Sequence, residues 1–405
     1  MADCLVLGAG MIGVTTAVAL QERGHDVVLI DRRAPGQETS FGNAGIIQSE
    51  AVEPYAMPLQ PRALARMALG RSAEVRWSLR GLAGQAGGLA RYAWQSRPSA
   101  YRRLGAIYAP LVRGATSAHA SLIDAAGAGD LVRRDGWIEL YRDADALDQA
   151  QTNAQRLNAT YGIGVRALDT SDLARLEPAL RQRLAGGVLW PESWTCTDPG
   201  ELVAAYARLF EGRGGMILQA DAMDLARAGK SWKAAGQTAE IAVIALGPWS
   251  PALTARFGLH VPMVLKRGYH RHYQIRTPPQ RPMLDAANAV VLSPMRTGLR
   301  IATAADLRPA PDLNPPQLAR GARAARALFD LGDPVEAAPW SGQRPCMPDM
   351  LPVAGPVPGQ AGLWAHFGHG HQGFTLGPVT APLLADQIDG APGIDALQPA
   401  RLIRP

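Results

Sequence analysis

Residues 3–31 leave the chain little freedom. Asp3–Leu7 is a short apolar run of strand type, and Gly8-Ala9-Gly10-Met11-Ile12-Gly13 is a glycine turn. Val14 to Arg23 suits a helix that Gly24 closes, and Asp26–Ile30 is a second apolar strand ending at Asp31. Apolar strands joined by a helix demand a buried parallel sheet. Each glycine answers a separate need: Gly8 a positive φ, Gly10 a close backbone approach to a pyrophosphate, Gly13 tight packing of helix on strand. The helix start supplies free N–H groups for the anion. Asp31, 18 residues after Gly13, stands where a carboxylate accepts ribose hydroxyls. A dinucleotide site is therefore expected at Gly8, Gly10, Met11, Ile12, Gly13, Asp31 and Arg32. The acid disfavours a 2′-phosphate despite Arg32 and Arg33, so NADP is not expected. The motif alone does not separate NAD from FAD.

The rest of the chain is long enough for a second unit, since 405 residues correspond to about two domains. Hydrophobic residues at 47% and charged residues at 19% exclude a disordered chain. Three widely spaced cysteines, Cys4, Cys196 and Cys346, exclude a disulfide scaffold and a Cys-x-x-Cys zinc site, and they fit a reducing compartment. Cys4 to Leu20 runs 17 residues without a charge, short of the ~20 of a membrane helix, and no signal peptide or membrane span is expected. Strands are expected at Trp137–Tyr141, Gly187–Trp190, Met216–Gln219, Ile241–Ala245, Tyr269–Ile275, Ala289–Leu292 and Leu299–Thr303. Helices are expected at Glu201–Arg213, Leu318–Phe329 and from about Pro378 to Ile388. Residues 56–130 read as helices and loops.

Later motifs decide the cofactor. Glu38-Thr39-Ser40 and Asn43-Ala44-Gly45-Ile46 follow the ribose acid where an NAD dehydrogenase would continue with another βα unit. Further on come Ala245-Leu246-Gly247-Pro248-Trp249-Ser250, Leu265-Lys266-Arg267-Gly268-Tyr269 and Trp340-Ser341-Gly342-Gln343-Arg344-Pro345. Pro348-Asp349, Pro352-Val353-Ala354-Gly355 and Gly368-His369-Gly370…Gly373-Phe374-Thr375 complete the series. With these motifs, in this order, the chain resembles the glycine oxidase and D-amino acid dehydrogenase family of amine-oxidising flavoproteins. Arg267, inserted before Gly268, and His371-Gln372 depart from the family pattern.

The resemblance implies an α/β fold, with a Rossmann-type FAD-binding domain built from discontinuous segments and a β-sheet substrate domain with helices. The expected division is 1–55, 196–262 and 336–405 for FAD, and 56–195 with 263–335 for substrate. It adds Thr39, Ser40, Asn43, Ala44, Gly45, Ile46, Ala222, Ala245, Gly247, Trp249, Gly368, Gly370, His371, Gln372, Gly373, Phe374 and Thr375 to the FAD site. It implies hydride transfer from the Cα of a D-amino acid to FAD, then hydrolysis of the imine to a 2-oxo acid and ammonia. A secondary amine, such as D-proline, a hydroxyproline or an N-alkylglycine, is the alternative substrate.

The chemistry needs a fixed carboxylate, and a guanidinium fork matches one bidentately. Arg344 is the expected clamp, with Tyr269 adding a hydroxyl; no general base is needed if the amine arrives neutral. A helix starting after Gly373 would stabilise negative charge on reduced flavin, with Pro378 in its first turn and Pro382 costing a backbone bond. His366, His369 and His371 have no metal-site spacing, so no metal is expected. His270 and His272 share a strand face, as packing or surface residues. Cys346 is the one residue that would suggest a covalent flavin, but a non-covalent cofactor is expected.

Residues 62–113 carry ten arginines against the single acid Glu74. A solvated helical face is the plain reading. Trp77, Tyr92, Trp94 and Tyr101 interleave with the arginines as in helices that dock on anionic lipid. The expected location is the cytoplasm, with this stretch as a peripheral contact on the inner face of the cell membrane, and a quinone or membrane carrier as electron acceptor. A flavoprotein acting on RNA is the rival of another class. No nucleic-acid module accompanies the charge, and flavin bleaching by D-amino acids without RNA would exclude it.

Overall fold

The computed structural model describes residues 2–403. Its first sheet has six strands in the order Met216–Gln219, Asp26–Asp31, Asp3–Leu7, Ile241–Ile244, Leu363–Phe367, Val353–Pro356. The first five are parallel, and Val353–Pro356 closes the edge antiparallel. Cys4 and Val6 face one core while Leu5 and Leu7 face another, which is why this strand has no polar alternation. Helix Met11–Gln21 is buried along almost its whole length, against helices Pro199–Gly212 and Gly373–Ile388. A three-stranded meander, Ala226–Ala228, Ser231–Ala234 and Gln237–Ala239, was not among the expected strands; with Trp232 it helps cover the opposite face.

The second sheet has eleven strands around the long Val264–Ile275, which pairs antiparallel with Gly298–Thr303 and Trp340–Cys346. Trp340–Cys346 was expected on the FAD side of a boundary at 336. Its ladder runs instead from Val264↔Cys346 to His270↔Trp340, inside the second sheet. Sequence motifs mark what a strand touches at its end, not which sheet it joins. His270 and His272 are fully buried, so the surface alternative for them fails. His270 stacks on Trp340 at 4.8 Å, and His272 accepts from Arg300 Nε at 2.9 Å.

Two helices start earlier than expected. The first begins at Met11 rather than Val14, and the last at Gly373 rather than Pro378. Gly373, Gly377 and Pro378 hide that start, because burial of Phe374, Thr375 and Leu376 outweighs their poor propensity. Pro378 thus sits inside the helix and leaves the Phe374 carbonyl without its i+4 donor. His119 supplies the replacement: its Nε2–H donates to Phe374 O at 2.9 Å, and its Nδ1 accepts from the Tyr206 hydroxyl at 3.0 Å.

Burial lowers the His119 pKa from 6.5 to about 4, so the folded ring is neutral. Its contribution is therefore complete above pH 6.5 and lost as pH falls towards 4. His119→Ala should cost on the order of 3 kcal/mol at neutral pH, from the unpaired carbonyl and the cavity. The gap to wild type should narrow by about 2 kcal/mol at pH 5. Urea denaturation at the two pH values checks this, and a gap independent of pH would refute the neutral-ring assignment.

Candidate active site

One cavity of about 680 Å³ runs from the glycine turn to Arg344. At the turn Gly8 has φ +108°, and a Cβ on Gly13 would lie 1.7 Å from Gly8 O. Gly13 is consequently packing, off the cavity wall, while Gly8, Gly10, Met11 and Ile12 line it. Asp31 holds the turn: Oδ2 accepts from Ala9 N at 2.6 Å and Oδ1 from Arg33 N at 3.0 Å. Burial raises its pKa and those two amides oppose the shift. Arg32 bonds Glu38 at 2.9 Å and lies 4.4 Å over the Trp249 ring. Ser40 Oγ accepts from Met11 N at 2.9 Å, at the helix N-terminus.

Thr39, Asn43, Ala44, Ile46, Ala222, Ala245 and Gly247 continue the wall, followed by Gly368, Gly370, His371, Gly373 and Phe374. The loop at Asn43 is held from behind by buried Arg300, whose Nη1 donates to Phe41 O at 2.9 Å and also to Asn43 O. Besides Gly13, three expected cofactor residues are not on the wall. Gly45 has φ +71° and packs on the Cys196 carbonyl. Gln372 is 1% exposed and donates to Gln48 Oε1, while Thr375 Oγ1 accepts from Gln48 N. They brace the Gln48 segment, and adjacency in sequence to wall residues had suggested contact.

The residues fit FAD. Helices starting at Met11 and Gly373 both open onto this cavity with no acid in the first turn; Ser40 Oγ takes the Met11 N–H of the first, and no capping side chain closes the second. Helix N-termini without a first-turn acid suit the two electron-rich parts of FAD, its pyrophosphate and the N1–C2=O edge of the flavin. His366 and His369 serve structure: His366 Nδ1 meets Thr16 Oγ1 at 2.7 Å, and both Nε2 atoms meet Thr380 Oγ1 at 2.9 Å. The Cys346 thiol is buried behind the wall, lining a separate chamber of about 30 Å³, with its pKa pushed up by burial.

At the far end Arg344 Nη2 donates to Thr303 O at 3.0 Å, and Nη1 has no partner. Its cross-strand neighbour Lys266 donates to Tyr92 Oη at 3.0 Å. Both line the cavity, and the pair contributes two positive charges that no carboxylate neutralises among the described residues. Burial and these two charges hold His371 neutral. Tyr269 lines the cavity too, but its hydroxyl donates to Asp306 Oδ2 at 3.0 Å and accepts from Asp312 N at 3.0 Å. The expected hydroxyl contact from Tyr269 to a substrate carboxylate is corrected accordingly: that proton is already used. Lys266, Tyr92, Tyr55 and Gln48 were missed as site residues. Lys266 carried a signal, since two-residue alternation puts it directly opposite Arg344 only once the register is known.

The model of the FAD dependent oxidoreductase family (DAO) matches residues 3–387. The chain is 31% identical to a D-amino acid dehydrogenase of Cereibacter sphaeroides, over 97% of this chain and 93% of that one. It is 30% identical to a D-amino-acid oxidase of Bradyrhizobium diazoefficiens, over 95% of this chain and 94% of that one. Among solved structures, a glycine oxidase of Bacillus cereus superposes with a TM-score of 0.71 at 19% identity, covering 98% of this chain and 97% of that one. An L-proline dehydrogenase of P. horikoshii does so at 0.74 and 16%, covering 100% and 98%. A turn, an acid and two helix N-termini around one cavity are what FAD requires, and the chain belongs to the family of FAD dependent oxidoreductases.

Proposed function

We propose that the protein oxidises D-amino acids, giving an imine and then a 2-oxo acid and ammonia. The observation that carries this reading is Arg344, a guanidinium at the end of the FAD cavity with Nη1 unpartnered. A substrate carboxylate completes it, and Lys266 adds a second positive charge to the same end. When bound, FAD supplies the hydride acceptor. The chain's residues fix the carboxylate, and Met57, Leu89, Leu307 and Tyr92 close the space around the side chain. A neutral amine needs no further base. The names of the relatives support D-amino acids over other amines.

Purified protein should be yellow and lose its flavin to the supernatant on denaturation, since Cys346 is off the cavity wall. Anaerobic addition of D-amino acids should bleach the flavin without RNA. Bleaching by secondary amines alone would move the substrate class, and none by either would end the reading.

The finer part of the proposal concerns the acceptor. Of the aromatic residues in 62–113 only Trp94 is markedly exposed. Tyr92 is buried, Trp77 Nε1 bonds Met67 O at 2.7 Å, and Tyr101 Oη bonds Pro54 O at 2.9 Å. The apolar surface comes instead from Leu64, Leu69, Leu79 and Trp94, among exposed Arg62, Arg66, Arg71, Arg80 and Arg91. The same segment lines the cavity with Met67, Val75, Leu89 and Tyr92. This mixture suits an anionic membrane surface and electron transfer to a quinone or membrane carrier. No helix among the described residues is long and apolar enough to cross a membrane.

Each arginine near an anionic surface contributes ~1 kcal/mol, so sedimentation with anionic vesicles should exceed that with neutral ones. The difference should fade towards 1 M salt, where the Debye length is about 3 Å. Equal partitioning, or oxygen outpacing a quinone analogue, would leave the stretch a solvated surface.

A further inference from the structure

Beside the substrate end lies a buried polar cluster that the reaction above does not use. Glu50 is 5% exposed and bonds only neutral donors: Ser193 Oγ at 2.5 Å and the side-chain amide of Gln48. Ser193 in turn accepts from Ser49 N and meets Ser49 Oγ, both at 3.0 Å. On its other side Gln48 Oε1 accepts from Gln372 Nε2 at 2.6 Å and from the Tyr55 hydroxyl at 3.3 Å. A weak contact of 3.5 Å joins Gln372 Nε2 to Tyr55 Oη. Gln48 and Tyr55 line the cavity, and the Tyr55 and His371 rings are 5.0 Å apart.

The polarity of this chain follows from its end. A carboxylate only accepts, so Gln48 must turn its NH₂ to Glu50 and its carbonyl to Tyr55. Tyr55 must then spend its one proton on Gln48, which leaves an oxygen lone pair free for the cavity. We propose that Tyr55 receives the substrate's amino N–H, and that Glu50, outside the cavity, is a positioning residue that fixes Tyr55 as an acceptor by way of Gln48. The site would then grip the amino acid by both ends: carboxylate at Arg344 and Lys266, neutral amine at Tyr55. Burial of an unpaired carboxylate among neutral donors costs stability, which is otherwise unexplained here.

This inference rests on the D-amino acid reading. Glu50→Gln lets the new amide donate to Gln48, flips it, and turns the Tyr55 proton towards the cavity. Tyr55→Phe removes the acceptor outright. The holoenzyme variants are titrated with a D-amino acid that reduces wild-type flavin and with the matching carboxylate lacking the amine, propionate for D-alanine. Each variant should lose ~3–10-fold in affinity for the amino acid, the value of one hydrogen bond, and less than twofold for the carboxylate. The double variant should be no worse than Tyr55→Phe alone, because Glu50 acts through Tyr55. Equal losses for both ligands, or additive losses in the double variant, would overturn the proposal. If Glu50→Gln does not fold, Tyr55→Phe with the two ligands still decides it. Wild-type flavin that no D-amino acid reduces would overturn the underlying reading as well; wild-type reduction with unchanged variants would overturn only this step.

Discussion

Arg344→Lys should raise the KM and apparent Kd for the amino acid by roughly 10–150-fold, the ~1.5–3 kcal/mol of one charge-assisted hydrogen bond, while FAD stays bound. The geometry explains the size. The guanidinium has one nitrogen engaged with Thr303 O at 3.0 Å and another unpartnered, so the fork is held and one prong is free. A lysine ammonium is a point charge that cannot keep Thr303 and grip a carboxylate together. Lys266 nearby would retain some attraction, which is why the loss is bounded. Anaerobic flavin reduction over a substrate range gives the apparent affinity, and the flavin content of the purified variant gives the control. Unchanged substrate affinity would show that Lys266 alone holds the carboxylate.

Arg344 was legible because Trp340-Ser341-Gly342-Gln343-Arg344-Pro345 stands out among the chain's many arginines, and a motif survives folding as a local unit. Its partners were not legible for a physical reason. Lys266 faces Arg344 only through the antiparallel register of Val264–Ile275 with Trp340–Cys346, and a slip of one residue would reverse its face. Tyr269 was misread for the converse reason. The motif placed it correctly on the wall, but Asp306 and Asp312, some forty residues away, take its hydroxyl. The parallel sheet was readable from continuous apolar runs such as Cys4–Leu7, whereas the first turns of the last helix were hidden by Gly373, Gly377 and Pro378. There the missing donor came from His119, which no local pattern connects to Pro378.

Gly13→Ala should yield protein largely free of FAD and clearly less stable, although it adds one methyl group. The new Cβ would sit 1.7 Å from Gly8 O and 2.8 Å from Gly8 C. Both are backbone atoms at the end of a buried strand, so nothing flexible can yield and helix Met11–Gln21 must move away as a body. Overpacking of this kind costs about 1–3 kcal/mol, occasionally more. The shift also carries Gly10 and the start of the helix away from the seat of the pyrophosphate. Losing one charge-assisted contact there costs a further ~10–150-fold in FAD affinity. Gly24 is the internal control: its φ is +83°, but an added Cβ meets nothing within 4 Å. Gly24→Ala should therefore cost only the ~1–2 kcal/mol of a left-handed alanine and keep its flavin. Flavin-to-protein absorbance ratios after dialysis, with melting curves for both variants, compare collision against conformation directly. A Gly13→Ala protein that keeps a full complement of FAD would show that the dinucleotide is seated elsewhere in the cavity.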